Sequence, residues 1–252
     1  MTDTVPTATR APRPPRGSSR RKIPWLVILL TSLVIAVYSP SQYMTGTLKA
    51  LGDTGLAATY AERPVAVQTA FHAHIVFAGL ALLIGGFQFS RQLRRRSLTA
   101  HRWVGRTYVF SVYVGGAVAF VMSFFSSVAF LGFFGFGTLA VLWIWTTHRG
   151  LRSAREHDLA SHQAWMIRSF ALSYAAPTLR IWLVILVLVQ LPFGLDEGVI
   201  ATNAYAPVPF LCWLPNIVVA EVIIHRRGLP SFISAPVSRA RTGRGRRVAP
   251  AT

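Results

Sequence analysis

Six apolar stretches, separated by polar or basic connections, decide which solvent this chain can fold in. They run from Ile23 to Tyr38, Gln68 to Phe89, Trp103 to Phe124, Val128 to Thr146, Ala164 to Leu188 and Val208 to Ile224. Each approaches the ~20 residues that a helix rising ~1.5 Å per residue needs to cross ~30 Å of hydrocarbon. Lipid offers backbone N–H and C=O groups no partners, so open segments of this kind must satisfy themselves as helices. The expected fold is all-α: a polytopic transmembrane bundle of about six helices over residues 23–227. Composition agrees, because 52% of the chain is hydrophobic and only 13% is charged, about half the charged share of an ordinary soluble domain.

The net charge of +18 would suit a nucleic-acid ligand if it lined one water-exposed face. Its distribution excludes that partner. The basic residues gather in the two tails and around two connections, one with Arg91, Arg94, Arg95, Arg96, Arg102 and Arg106, the other with Arg149, Arg152, Arg155 and Arg168. The alternate connections hold Lys49, Arg63, Asp196 and Glu197. Such asymmetry predicts an inner-membrane protein of a bacterial cell with both termini in the cytoplasm (N-in/C-in) and its basic connections against anionic lipid headgroups. Residues 1–22 and 228–252, rich in Arg, Pro, Ser and Thr, read as disordered basic tails. The first run resembles a signal peptide, but Ser39-Pro40-Ser41-Gln42-Tyr43 is a poor cleavage site, so an uncleaved first helix is expected. A single cysteine, Cys212, excludes an internal disulfide and a Cys-metal motif.

Chemistry must then come from polar groups inside the lipid, where an ionisable residue costs at least ~2.5 kcal/mol. The candidates are His72, His74, Arg168, Arg180 and Glu221, with Gln88 and Asn216 as neutral polar groups. His162 and Arg180 are 18 residues apart, five helical turns, with Ser169 and Ser173 between them on one face. This stripe is expected to line a cavity or to act as helix-to-helix glue, and Pro177 to bend the helix beside it. His74 and Arg180 lie at similar depth and are expected to meet, whereas Glu221 is expected to pair with Arg168. His101 and His162 open the third and fifth runs at one interface, where two imidazoles could grip a b-type haem or a metal, or simply remain solvated. Thr99-Ala100-His101-Arg102-Trp103 echoes Ala160-Ser161-His162-Gln163-Ala164-Trp165, a sign either of duplicated hairpins or of ordinary interface composition. Phosphate-loop, zinc-protease and hydrolytic-triad patterns are absent from the sequence, so no catalytic residue is assigned.

His74, Gly79 and Gly86-Phe87-Gln88-Phe89, then Leu98 and His101-Arg102-Trp103-Val104-Gly105-Arg106, then His162, Trp165-Met166-Ile167-Arg168-Ser169-Phe170 and Thr178-Leu179-Arg180 resemble the DUF2306 family of predicted bacterial membrane proteins. The likeness covers roughly Gln68 to His225 and implies a multi-helix membrane protein without a settled activity. The histidine placement is also loosely similar to cytochrome b561; His101 and His162 match a third-with-fifth helix ligand pair, and a second pair has no match. Three functions follow as expectations. The first is a redox-linked protein holding one haem b, or a quinone, through His101 and His162, with His74 nearby and Arg168 or Arg180 balancing propionate charge. The second is a small transporter or proton pathway using His74, Arg180 and Asn216 beside Pro177. The third is a non-catalytic assembly subunit. Expected partners are membrane lipids, with a membrane redox partner or a second copy of the chain.

Overall fold

A computed structural model describes residues 22–44, 46–51, 55–88 and 96–232. Residues 1–21 and 233–252, most of both tails, and Arg91, Arg94 and Arg95 lie outside the described residues. Ten α-helices and one short 3-10 turn follow in order among them: α1 (Lys22–Tyr43), α2 (Gly55–Ala61), α3 (Val65–Gln88), α4 (Leu98–Ser123), α5 (Ala129–Arg155), α6 (Leu159–Ser173), α7 (Ala175–Gln190), the turn Leu191–Phe193, α8 (Glu197–Tyr205), α9 (Val208–Leu211) and α10 (Leu214–Arg226). Six segments are long and apolar enough to cross a membrane: Leu26–Tyr43, Val65–Gln88, Leu98–Ser123, Ala129–Arg155, Ala175–Phe193 and Val208–Arg226. The chain is a multi-pass membrane protein, and its helices alternate in direction. One end of the bundle, the basic end, carries the Arg-rich connections; the opposite end is the far end.

Boundaries are set by local chemistry. Ser97 caps α4, its hydroxyl accepting from Ala100 N–H at 3.1 Å, and Asp158 caps α6 through Ser161 N–H at 3.0 Å. Hydrogen bonds from the Ser161 side chain and backbone hold the Asp158 carboxyl below the usual carboxylate range. Helix α5 runs nine residues past the expected Thr146, because Thr147, Gly150 and Ser153 are buried rather than left in a solvated loop.

Two spans differ from the continuous helices that the apolar runs imply. The fifth is jointed: α6 ends at Ser173, Tyr174 takes φ −73° and ψ 0°, and α7 begins at Ala175. Pro177 is the cause, since it has no N–H for the Ser173 carbonyl and its ring crowds that turn. A second joint falls at Cys212 and Trp213, between α9 and α10, where Trp213 has φ −128° and Pro215 occupies the first turn of α10.

Packing proceeds along the chain, α1 on α3, α3 on α4, α4 on α5 and α5 on α6, with α10 closing against α6. Helices α3 and α4 approach closely at Gly115, where a β-carbon would stand 3.3 Å from the Ala78 nitrogen. The main core joins Ala81, Tyr108, Trp143, Leu172, Val208 and Trp213; a second cluster at the far end joins Leu48, Tyr60, Phe71 and Ile75. Helices α1 and α7, by contrast, bury few of the described residues fully: Ser32 in α1, Ala175 and Pro177 in α7.

Candidate functional site

Three polar groupings occupy the interior. At mid-bundle, Ser169 and Ser173 of α6 face α4 and α5. The Trp143 indole N–H donates to Ser173 Oγ at 2.9 Å, Ser173 donates to the Ser169 carbonyl at 3.2 Å, and Thr147 donates to the Trp143 carbonyl at 2.8 Å. With those protons placed, Ser169 donates to Thr147 Oγ1 at 2.6 Å, and the Tyr108 hydroxyl donates to Ser169 at 2.7 Å or Ser173 at 2.9 Å. Every O–H and N–H of the set is spent internally. This is a closed network that specifies packing and offers a ligand no free donor.

Toward the basic end, the structure brings Arg168 and Glu221 together. Arg168 is 3% exposed, and its Nε and Nη2 donate to the two Glu221 oxygens, the Nη2 bond measuring 3.1 Å. Nη2 also donates to the Pro230 carbonyl at 3.2 Å, and Phe232 N–H donates to Glu221 Oε2 at 3.1 Å. The guanidinium lies 4.5 Å from the Trp165 ring centroid and 4.4 Å from that of Phe232. Charge, donors and faces are all matched, so the pair locks α6, α10 and the following segment.

Toward the far end, Arg180 is in a different position. Its Nη1 donates to the Ala176 carbonyl at 2.8 Å and its Nη2 to Ser39 Oγ of α1 at 2.8 Å. The titratable groups close enough to act on its charge are the phenols of Tyr43, Tyr38 and Tyr205. Among the described residues no carboxylate pairs with it. The hydroxyls of Tyr43 and Tyr205 likewise form no hydrogen bond there, and burial pushes the Tyr205 phenol up to about 12, which keeps it a neutral donor. His72 reaches the same corner, its Nδ1 at 2.8 Å from the Gln68 carbonyl and its Nε2 at 3.2 Å from the Tyr43 carbonyl. Carbonyls only accept, so both contacts are satisfied together only by a doubly protonated ring.

The joint beside Arg180 is held by Asn216. Its Nδ2 lies 3.2 Å from the Ala171 carbonyl before the joint, 2.9 Å from Thr178 Oγ1 beyond it, and 3.0 Å from the Cys212 carbonyl of its own span. One side chain therefore ties the joint in the fifth span to the joint in the sixth.

The single stripe expected on the fifth span divides at that joint. Ser169 and Ser173 face α4 and α5, whereas Arg180 faces α1. His74 and Arg180 do not share a contact: His74 Nδ1 bonds the Gly115 carbonyl at 3.0 Å, and Arg180 bonds Ala176 and Ser39. His162 Nδ1 lies 2.8 Å from the Gly150 carbonyl, and Gln88 Nε2 lies 3.5 Å from the His101 carbonyl. Among the described residues no three His, Cys, Asp or Glu side chains gather around one point. Sequence reasoning missed Tyr108, Trp143, Thr147, Ser39, Tyr43 and Tyr205, whose roles depend on contacts across the bundle.

The six spans have a counterpart among known protein families. A family model described as a predicted membrane protein, DUF2306, matches residues 71–224, more than half of the chain. The chain belongs to the DUF2306 family. The matched region begins inside α3 and ends inside α10, so the Arg168–Glu221 lock, the closed network and Arg180 all fall within the DUF2306 region, whereas α1, which supplies Ser39 and Tyr43, lies before it. Curated proteins and solved structures give no match, and nothing in these comparisons carries the likeness to cytochrome b561.

Proposed function

We propose that this DUF2306 protein is a carrier-type membrane protein that binds an anionic group at Arg180, at the far end of the bundle. The observation behind this reading is that Arg180 is a cation inside a span with unspent N–H donors and no carboxylate partner among the described residues, unlike the matched Arg168. A guanidinium in that state favours a carboxylate or phosphate, which its planar fork can hold through two bonds. Two adjacent jointed helices supply the moving part, because discontinuous spans around a buried site let one half of a bundle rock against the other. Asn216 couples the joints, and the Arg excess favours the basic end in the cytoplasm of a bacterial inner membrane.

The test is thermal stabilisation of purified protein by a series of monoanions, running from acetate through octyl phosphate to oleate, followed by counterflow in proteoliposomes with whichever member stabilises. At least one is expected to raise the melting temperature of the wild type and of Arg180→Lys but not of Arg180→Gln. Wild-type protein unmoved by the whole series would overturn the reading.

A redox reading also has an observation in its favour. Gly150's carbonyl obliges His162 Nδ1 to carry the proton, so a neutral ring presents a bare Nε2, the form a haem or metal ligand requires. His101 would supply the opposite ligand, and bound haem would confer electron transfer. A Soret band lost in His101→Ala and His162→Ala would support it; colourless protein from haem-replete cells would exclude it.

A further inference from the structure

We propose that the ligand of Arg180 is a membrane-soluble amphiphile, a carboxylate or phosphate head on an apolar chain, which enters sideways from the bilayer between α1 and α7. The proposal rests on the reading of Arg180 as an anion site and names the class of molecule and its route. Ser39 lies one helical turn before Tyr43, the last residue of α1, and Arg180 lies ten residues before Gln190, the last of α7, so the guanidinium sits between ~6 Å and ~15 Å inside those helix ends at ~1.5 Å per residue. A cation at that depth is reached from the leaflet, where the head of a single-chain amphiphile can be drawn inward while its tail stays in the hydrocarbon.

The wall beside the site is open to lipid. Helices α1 and α7 are the least buried spans, and two side-chain hydrogen bonds hook α1 to the jointed span: Arg180 to Ser39 at 2.8 Å, and Thr31 Oγ1 to the Tyr174 hydroxyl, at the joint, at 2.6 Å. Between those hooks the exposed residues of α1 are Leu33, Val34, Val37 and Tyr38, and the first ones following Arg180 on α7 are Ile181, Val184 and Ile185, all apolar but for the Tyr38 hydroxyl. A seam of this kind is lined for an acyl chain. Access from the far-end water is obstructed, because Leu48, Tyr60, Phe71 and Ile75 pack there with Tyr43 and Leu51 into an aromatic and aliphatic plug. A small hydrated anion would have to shed its water to pass that plug, whereas an amphiphile already in the leaflet meets Arg180 directly.

The donor set selects the head. Arg180 can hold two oxygens of the head, and the neutral phenols of Tyr43 and Tyr205, which have no hydrogen-bond partner among the described residues, can donate to what remains. Three donors of this type suit a carboxylate or phosphate monoester and leave a zwitterionic head with an unmatched ammonium beside Arg180.

Equilibrium binding of radiolabelled oleate to full-length protein in nanodiscs of zwitterionic lipid tests this directly. Saturable binding is expected, weakened at least ten-fold in Arg180→Gln and about three-fold in Tyr205→Phe, with Arg180→Lys in between and all variants retaining the wild-type elution profile. Millimolar acetate should not compete, whereas octyl phosphate should. Competition by acetate at the concentration where octyl phosphate competes would overturn the amphiphile while leaving Arg180 as an anion site. Absence of oleate binding while acetate stabilises the protein would likewise overturn the amphiphile alone, and absence of every response removes both readings. For the route, Thr31→Cys with Tyr174→Cys, in a Cys212→Ser background, joined by a bismaleimide, should slow oleate association at least ten-fold; an unchanged rate would overturn entry through the seam.

Discussion

Arg168 meets a carboxylate, a carbonyl and two aromatic faces, whereas Arg180 meets one hydroxyl and one carbonyl of its own turn. The contrast explains why one is read as structure and the other as a site, and it makes the first a measurable contributor to stability. Removing Glu221 leaves a guanidinium that is 3% exposed without its counter-charge, and breaking one partner of such a pair costs ~3 to 5 kcal/mol. Glu221→Ala should therefore lower the denaturation midpoint sharply in detergent. The double variant Arg168→Met/Glu221→Leu should recover most of the loss, since no unpaired charge remains. A Glu221→Ala protein within about 1 kcal/mol of wild type would mean that solvent reaches the pair more freely than its burial implies. At this scale the sequence was informative about depth: the burial cost of two opposite charges at one level already pointed Arg168 toward Glu221. It was silent on Ser39 and Tyr205, because nothing along the chain says that α1 and α8 end beside Arg180.

At the scale of the element, the six spans were legible because lipid leaves the backbone one solution, and a run of apolar residues announces it. The joint at Tyr174 was legible too, through Pro177. The joint at Cys212 and Trp213 carried the same kind of signal, Pro215 seven residues inside the Val208–Ile224 run, but the expectation of one continuous helix there did not use it. The contact that seats α9 shows why its position matters. A β-carbon at Gly135 of α5 would come within 2.4 Å of Pro209 Cβ and 2.8 Å of the Pro209 carbonyl carbon, so backbone rather than a pliable side chain would have to yield. Gly135→Ala is expected to cost ~1 to 3 kcal/mol through overpacking, despite alanine's better helix propensity. Gly105→Ala is the control, because its β-carbon would meet nothing nearer than Gln88 Nε2 at 3.6 Å, and it should be neutral or slightly stabilising. Thermal unfolding of the two variants side by side separates them; equal effects would show that α9 packs on α5 more loosely than these distances require.

For the whole molecule, the question is which end faces the cytoplasm, since helix packing alone is the same either way up. The charges break the symmetry. Among the described residues the basic end carries Arg96, Arg102, Arg106, Arg149, Arg152 and Arg155, with Arg226 ending the last span and Arg227 following it, whereas the far end carries Lys49 and Arg63, and Lys49 is already paired with Glu62 at 3.2 Å. Short connections with that bias are retained on the cytoplasmic side during insertion. The orientation decides which leaflet the seam between α1 and α7 serves: basic end inward, Arg180 sits in the outer leaflet and its ligand arrives from there. Single cysteines at two exposed positions, Glu197→Cys at the far end and Arg155→Cys at the basic end, report this in a Cys212→Ser background. An impermeant maleimide added to intact cells, with the outer membrane permeabilised, should modify Glu197→Cys and leave Arg155→Cys unmodified until the inner membrane is opened. The reverse pattern would turn the bundle over, move the Arg180 corner to the cytoplasmic leaflet, and require its ligand to come from the inner face of the cell.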